Sequence, residues 1–153
     1  MYNTTVSESD WDIRLFIYEA LAASGRAPGA DALALRFGIS PSEARQALQR
    51  LHDAHTLVLQ AGSSDILMAN PLSALPTDYR VLIGATELYA NCAWDSLGIP
   101  AMLGADAGIE ARHPLTADLI EYAVEAGQLK GCRDYLVHFA RPFRQWYADI
   151  VDT

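Results

Sequence analysis

Cys92 and Asp95 are the residues of this 153-residue chain whose types and spacing point most directly to chemistry. They stand three apart at the head of the run Asn91-Cys92-Ala93-Trp94-Asp95-Ser96-Leu97-Gly98-Ile99-Pro100-Ala101-Met102-Leu103-Gly104. If that run is helical, positions i and i+3 share a face, and a thiol meets a carboxyl near a helix start. A thiolate is a soft metal ligand and a nucleophile, and a carboxyl group can carry a proton to or from a reacting atom. The helix N-terminus favours the thiolate. An ionised Asp95 opposes it, and a protonated one shares its proton with the sulfur. The plainer alternatives are a small buried hydrophobe at Cys92 and an ordinary first-turn helix acid at Asp95.

The other candidates are weaker. Cys132, between Gly131 and a strand-like run, reads as a structural or exposed thiol. His52 and His55 are three apart but have no cysteine or extra acid beside them, so they read as surface residues and not as metal ligands. His113 lies in a turn, and His138 alternates with Val137 and Phe139 as a structural strand histidine would. There is no Cys-x-x-Cys pair, no Gly-rich phosphate loop and no Gly-x-Ser-x-Gly elbow.

The chain that must position the pair is 51% hydrophobic and 20% charged, which is a globular composition. Its net charge is −8: residues 1–80 hold six Lys and Arg against nine Asp and Glu, and residues 81–153 five against ten. Acidic halves lack the clustered cations that give nucleic-acid affinity. Two cysteines cannot make a disulfide framework, and the polar start, with Glu8 and Asp10, is unlike a signal peptide. No apolar run approaches the roughly 18 residues of a membrane span. These features predict a soluble cytoplasmic protein with reduced thiols.

In chain order, Asp10 to Ser24 has a helical period in which Trp11, Leu15, Ile17, Tyr18 and Leu21 oppose Asp12, Arg14 and Glu19. Asp31 to Phe37 is a second helix, ended by Gly38. Ser40-Pro41-Ser42-Glu43 opens a third with a capping box, and Ala44, Ala47, Leu48 and Leu51 form its inner face. Leu57–Gln60 and Asp65–Ala69 read as a hairpin. Three helices plus a hairpin make a winged helix over residues 1–76, whose two plain uses are DNA binding through the third helix or a scaffold. The acidic balance favours the scaffold. Pro71 to Thr77 is a Pro-containing connector. The second segment, residues 77–153, reads as a small, mostly antiparallel sheet with short helices. Its strands are Tyr79–Gly84, Gly108–Arg112, Leu119–Val124 and Tyr135–Ala140, its turns are His113–Asp118 and Gly127–Gly131, and a short helix runs from Arg141 to Val151. The predicted fold class is α+β.

Cys92-Ala93-Trp94-Asp95-Ser96-Leu97, followed by Pro100, Leu103 and Gly104, resembles the active-site helix of the organomercurial (alkylmercury) lyases. The resemblance continues through Ile109-Glu110-Ala111-Arg112-His113-Pro114-Leu115-Thr116, Val137-His138-Phe139-Ala140 and Trp146-Tyr147-Ala148-Asp149-Ile150. It also reaches back to a winged-helix-like start, which in that family does not bind DNA. The resemblance implies that Cys92 is the thiol that takes the mercury of R–Hg⁺ and that Asp95 passes a proton to carbon as the C–Hg bond breaks. Hg(II) is left on thiols, and mercury is part of the substrate, with no separate cofactor. The family's second cysteine aligns just past the Trp-Tyr-x-Asp-Ile segment, opening a further strand, where this chain reaches Thr153. Cys132 is the other thiol and takes that metal-binding place if it reaches the site. An unfilled strand position leaves an open sheet edge for a second copy of the chain to cover. Two other readings stay open: the same scaffold using Cys92 and Asp95 for acid-base or nucleophilic work on a small organic molecule without mercury, and a non-enzymatic winged-helix module binding metal or DNA.

Overall fold

The computed structural model describes residues 6–131, 134–139, 141–148 and 150. Helix α1, Glu8–Ser24, starts on a capping box: the Asp10 N–H donates to Ser7 Oγ at 3.2 Å, and the Ser7 N–H donates to Asp10 Oδ2 at 2.9 Å. The buried Asp10 carboxylate also accepts from Arg50 of the third helix at 2.7 and 3.0 Å, so one side chain both caps α1 and ties it to α3. The stripe of α1 that meets the core is Ile13, Ile17 and Leu21. It is rotated from the face expected, because Trp11 and Leu15 lie exposed. Gly25 ends the helix in the left-handed region at φ 68, its N–H donating to Leu21 O.

Helix α2, Ala30–Phe37, and helix α3, Pro41–Asp53, follow as expected. Ser40 and Glu43 make the predicted capping box, and Ala44, Ala47, Leu48 and Leu51 are buried. Strands β1, Val58–Leu59, and β2, Ile66–Ala69, form the expected antiparallel hairpin.

The Pro-containing connector is itself part of the sheet. Strand β3, Leu72–Ser73, pairs with β2 on one side and with β5, Thr86–Ala90, on the other. The sheet therefore runs unbroken as β1-β2-β3-β5-β4-β6-β7-β8, with β4 Tyr79–Ile83, β6 Ala107–Arg112, β7 Leu119–Glu125 and β8 Gln128–Lys130. All its pairings are antiparallel. Val81, Leu88 and Ile109 pair in register and face one core shared with α1, α2, α3 and α4. On the opposite face Arg80 lies between Glu87 and Glu110 and bonds both. Helix α4, Ala93–Leu103, packs on β4 and β5.

Three more sequence readings change. Gly127–Gly131 contains β8, a three-residue strand that folds back on β7 after the Ala126–Gly127 turn. Tyr135–Phe139 forms no strand: its residues are exposed and pair with no ladder, and alternation alone cannot make a strand without a neighbour. Ala140 lies outside the described residues. The last helix is a 3₁₀ helix, Phe143–Ala148. Cys132 also lies outside the described residues. No helix among those described is long and apolar enough to cross a membrane.

Candidate active site

Strand β5 delivers the chain to the site and α4 leads away from it. Cys92 is the N-cap of α4, with extended backbone (φ −152, ψ 178), and its carbonyl accepts from the Ser96 N–H at 3.1 Å. Asp95 is the third helical residue. The turn thus brings the half-buried thiol and the half-buried carboxyl to one helix end, as the i, i+3 spacing requires. Ser96, completely buried, fixes this first turn from behind. Its Oγ donates to Ala93 O at 2.6 Å and pairs with the Tyr122 hydroxyl at 2.7 Å. Ile99 and Pro100 anchor the next turn in the core.

Both acids of the pair are pushed toward their protonated forms. Burial raises the Cys92 thiol above its ordinary range; the amides of Asp95 and Trp94 pull it down, and the Asp95 carboxylate pushes it up again. Burial likewise raises Asp95, against hydrogen bonds from Asn91 and from the Cys92 side chain. Two phenols stand within electrostatic reach. Tyr79 is raised first by burial and then by negative charge on Cys92. Tyr18 is raised by burial and, against the neighbouring Arg14, by Asp95. A thiol and a carboxyl so placed can pass one proton between them, and neither is held permanently ionised.

Around the pair runs a polar chain that sequence reasoning did not single out. Arg14 Nη2 donates to the Tyr18 hydroxyl at 2.8 Å, and Tyr18 donates to Asn70 O at 2.8 Å. Asn91 Nδ2 donates to Asn70 Oδ1 at 2.8 Å and to Asp95 Oδ2 at 3.2 Å. Asn91 directly precedes Cys92, but its spacing carries no signal of this contact. Tyr18 reads in sequence as part of an apolar helix face. Tyr18 and Asn70 also line a largely apolar groove of about 490 Å³ together with Trp11, Leu15, Met102 and Leu103. On the other side, Trp94 meets Phe139 edge-on at 6.2 Å, and Phe139 lies 5.4 Å from Trp146.

Three of the histidines are engaged elsewhere in the fold. His52 Nδ1 accepts from the Leu59 N–H, His55 stacks on Tyr147 with ring centroids 3.9 Å apart, and His113 Nδ1 accepts from Leu115 and Thr116 in the β6–β7 turn. Among the described residues, no group of three or more His, Cys, Asp and Glu is arranged to hold a metal ion.

Residues 72–153 match the family described as alkylmercury lyase. The crystal structure of the mercury-bound form of MerB2 is similar over 82% of this chain, with a TM-score of 0.65 and 26% sequence identity. The chain spans 60% of the length of that solved chain. No curated protein sequence matches.

Proposed function

This chain belongs to the alkylmercury lyase family, and on that premise we propose that it cleaves carbon–mercury bonds by protonolysis, with Cys92 as the mercury-binding thiol and Asp95 as the proton carrier. The observation that carries this reading is the meeting of Cys92, the N-cap, and Asp95, in the first turn, at the α4 N-terminus, both half-buried and each raised by burial. Mercury is the soft cation that a thiolate prefers. As the Cys92 sulfur bonds the mercury of R–Hg⁺, its proton passes to the Asp95 carboxylate. Asp95 then delivers that proton to the carbon. The electron pair of the C–Hg bond becomes the new C–H bond, R–H departs, and Hg(II) remains on Cys92 beside the ionised Asp95.

The half-buried setting helps both halves of this exchange. A carboxyl with a raised pKa accepts the thiol proton readily and surrenders it only to a strong demand, such as the carbon of a breaking bond. Asn70, which reaches Asp95 through Asn91, also lines the groove of Trp11, Leu15, Met102 and Leu103, and that apolar groove is the proposed seat of the organic group. Cys132 is the second thiol this sequence offers to the departing metal.

The test is hydrocarbon release from phenylmercury by the full chain and by Cys92→Ser. Release of benzene that the Ser variant reduces to the uncatalysed rate supports the reading. Equal release by the two sinks it.

A further inference from the structure

We infer that Asn91 is a positioning residue: its carboxamide clamps one oxygen of Asp95 so that the other oxygen carries the proton that is delivered, and Asn70 in turn holds Asn91. This rests on the roles proposed above for Cys92 and Asp95.

The geometry is specific. Asn91 lies between the end of β5 and the N-cap of α4, so its side chain reaches across the cap to the residue four positions on. One nitrogen carries two hydrogens, and both are used: Nδ2 serves Asn70 Oδ1 at 2.8 Å and Asp95 Oδ2 at 3.2 Å. The Asn91 Oδ1 atom is buried and has no hydrogen-bond partner among the described residues. Buried carboxamides ordinarily satisfy both ends. Here the amide is turned so that its nitrogen meets both oxygens at the expense of its own acceptor.

Asn70 cannot easily yield. Its backbone carbonyl accepts from the Tyr18 hydroxyl, which is itself held by Arg14, so the clamp is braced by α1. For Asp95 the consequence is an asymmetric carboxyl. An oxygen that accepts an N–H is a poor place for a proton, so Oδ1 is left to carry the delivered one, and the bond from Asn91 holds the carboxyl plane. Three residues close to asparagine in size or chemistry do not match this function at position 91. Aspartate would put a second carboxylate against Asp95, serine has one hydrogen to give, and glutamine is longer by a methylene.

The test compares wild type, Asn91→Ala, Asn91→Ser and Asn70→Ala with phenylmercury as the probe. Loss of orientation is expected to lower kcat of Asn91→Ala by about 10- to 100-fold, with KM changed less than about twofold, because Cys92 still captures the metal. Asn91→Ser, keeping one donor, is expected to recover part of kcat. A purely structural residue would reduce folded protein without this kcat-against-KM split. A second readout does not need turnover. The Asn91 side-chain NH₂ pair in a ¹⁵N–¹H spectrum should shift in Asp95→Ala and in Asn70→Ala while most backbone peaks stay in place. Wild-type kcat in Asn91→Ala, or an NH₂ pair unmoved by both substitutions, overturns the inference. If wild type fails to cleave phenylmercury, the lyase reading falls, and the spectrum alone decides whether Asn91 holds Asp95.

Discussion

Replacing Gly25 by alanine should cost this fold about twice what the same change costs at Gly38. Both glycines end helices in the left-handed region, at φ 68 and φ 66. Both therefore incur the same backbone penalty for an L side chain, about 1–2 kcal/mol. Their surroundings differ. A Cβ at Gly38 would meet nothing within 4 Å, whereas a Cβ at Gly25 would sit 2.5 Å from the backbone carbonyl oxygen of Glu87 in β5. The oxygen belongs to the backbone of a strand held against β4 at Glu87 and Leu82, so α1 or β5 must shift, at a further cost of about 1–3 kcal/mol as in other overpacked cores. For a domain of this size each kcal/mol lowers Tm by roughly 2–4 °C. Gly38→Ala is then expected to lose roughly 2–8 °C, and Gly25→Ala to lose about twice its partner's value, in paired calorimetric melts. The comparison cancels the shared φ penalty and isolates the close approach of α1 to β5, the strand that delivers Asn91 and Cys92. Equal losses in the two variants would refute the claim that α1 is pressed against β5.

Asp95→Asn should make the protein more stable at neutral pH and less active. The folded-state pKa of Asp95 is raised by burial, so its favourable contribution is complete below the ordinary value of 3.8 and is lost as pH rises through the folded value. An amide escapes that loss, and melts of the two proteins should converge in acid and separate toward pH 7, with the variant higher. Asp10→Ala should behave oppositely. Burial works against the Asp10 charge, but the Arg50 guanidinium and the Ser7 bonds outweigh it and hold the carboxyl below its usual range. That stability is present above 3.8 and is lost as pH falls through the folded value. The variant gives up a cap and two charge-assisted bonds, about 2–3 kcal/mol in denaturant titrations near pH 7, less than a fully buried pair because the Arg50 side chain is 39% exposed. The gap to wild type should close in acid.

Features fixed by neighbours in the chain were legible in the sequence. Ser40-Pro41-Ser42-Glu43 carries its capping box in four residues, and the i, i+3 spacing of Cys92 and Asp95 places them together as soon as the run is helical. Features fixed by distant partners were not. Strand β3 has two residues and exists because β2 and β5 flank it, so no periodicity could announce it. Tyr135 to Phe139 shows the reverse case, a strand-like pattern with no ladder partner among the described residues; its Phe139 instead packs on Trp94 and Trp146. On α1 the apolar pattern contains the buried Ile17 and Leu21 but also the exposed Trp11 and Leu15, and the head of the buried line is taken by a charged residue, Asp10. Its burial depends on Arg50, forty residues away. Within the site, the thiol and carboxyl are visible by type, but the Asn70–Asn91–Asp95 contacts join residues from a hairpin end, a strand end and a helix, and only the fold brings them into contact.

The most direct measurement of the proposed chemistry is the mass of the protein after reaction with one equivalent of phenylmercury. With Asp95→Asn the thiol remains but the proton carrier is gone, so the expected species is the chain with C₆H₅Hg in place of the Cys92 thiol hydrogen, that proton lost to solvent, and no benzene in the headspace. Wild type should instead release benzene and carry mercury stripped of its phenyl group, and Cys92→Ser should bind no phenylmercury at the site. Benzene released by Asp95→Asn at the wild-type rate would contradict protonolysis through Asp95.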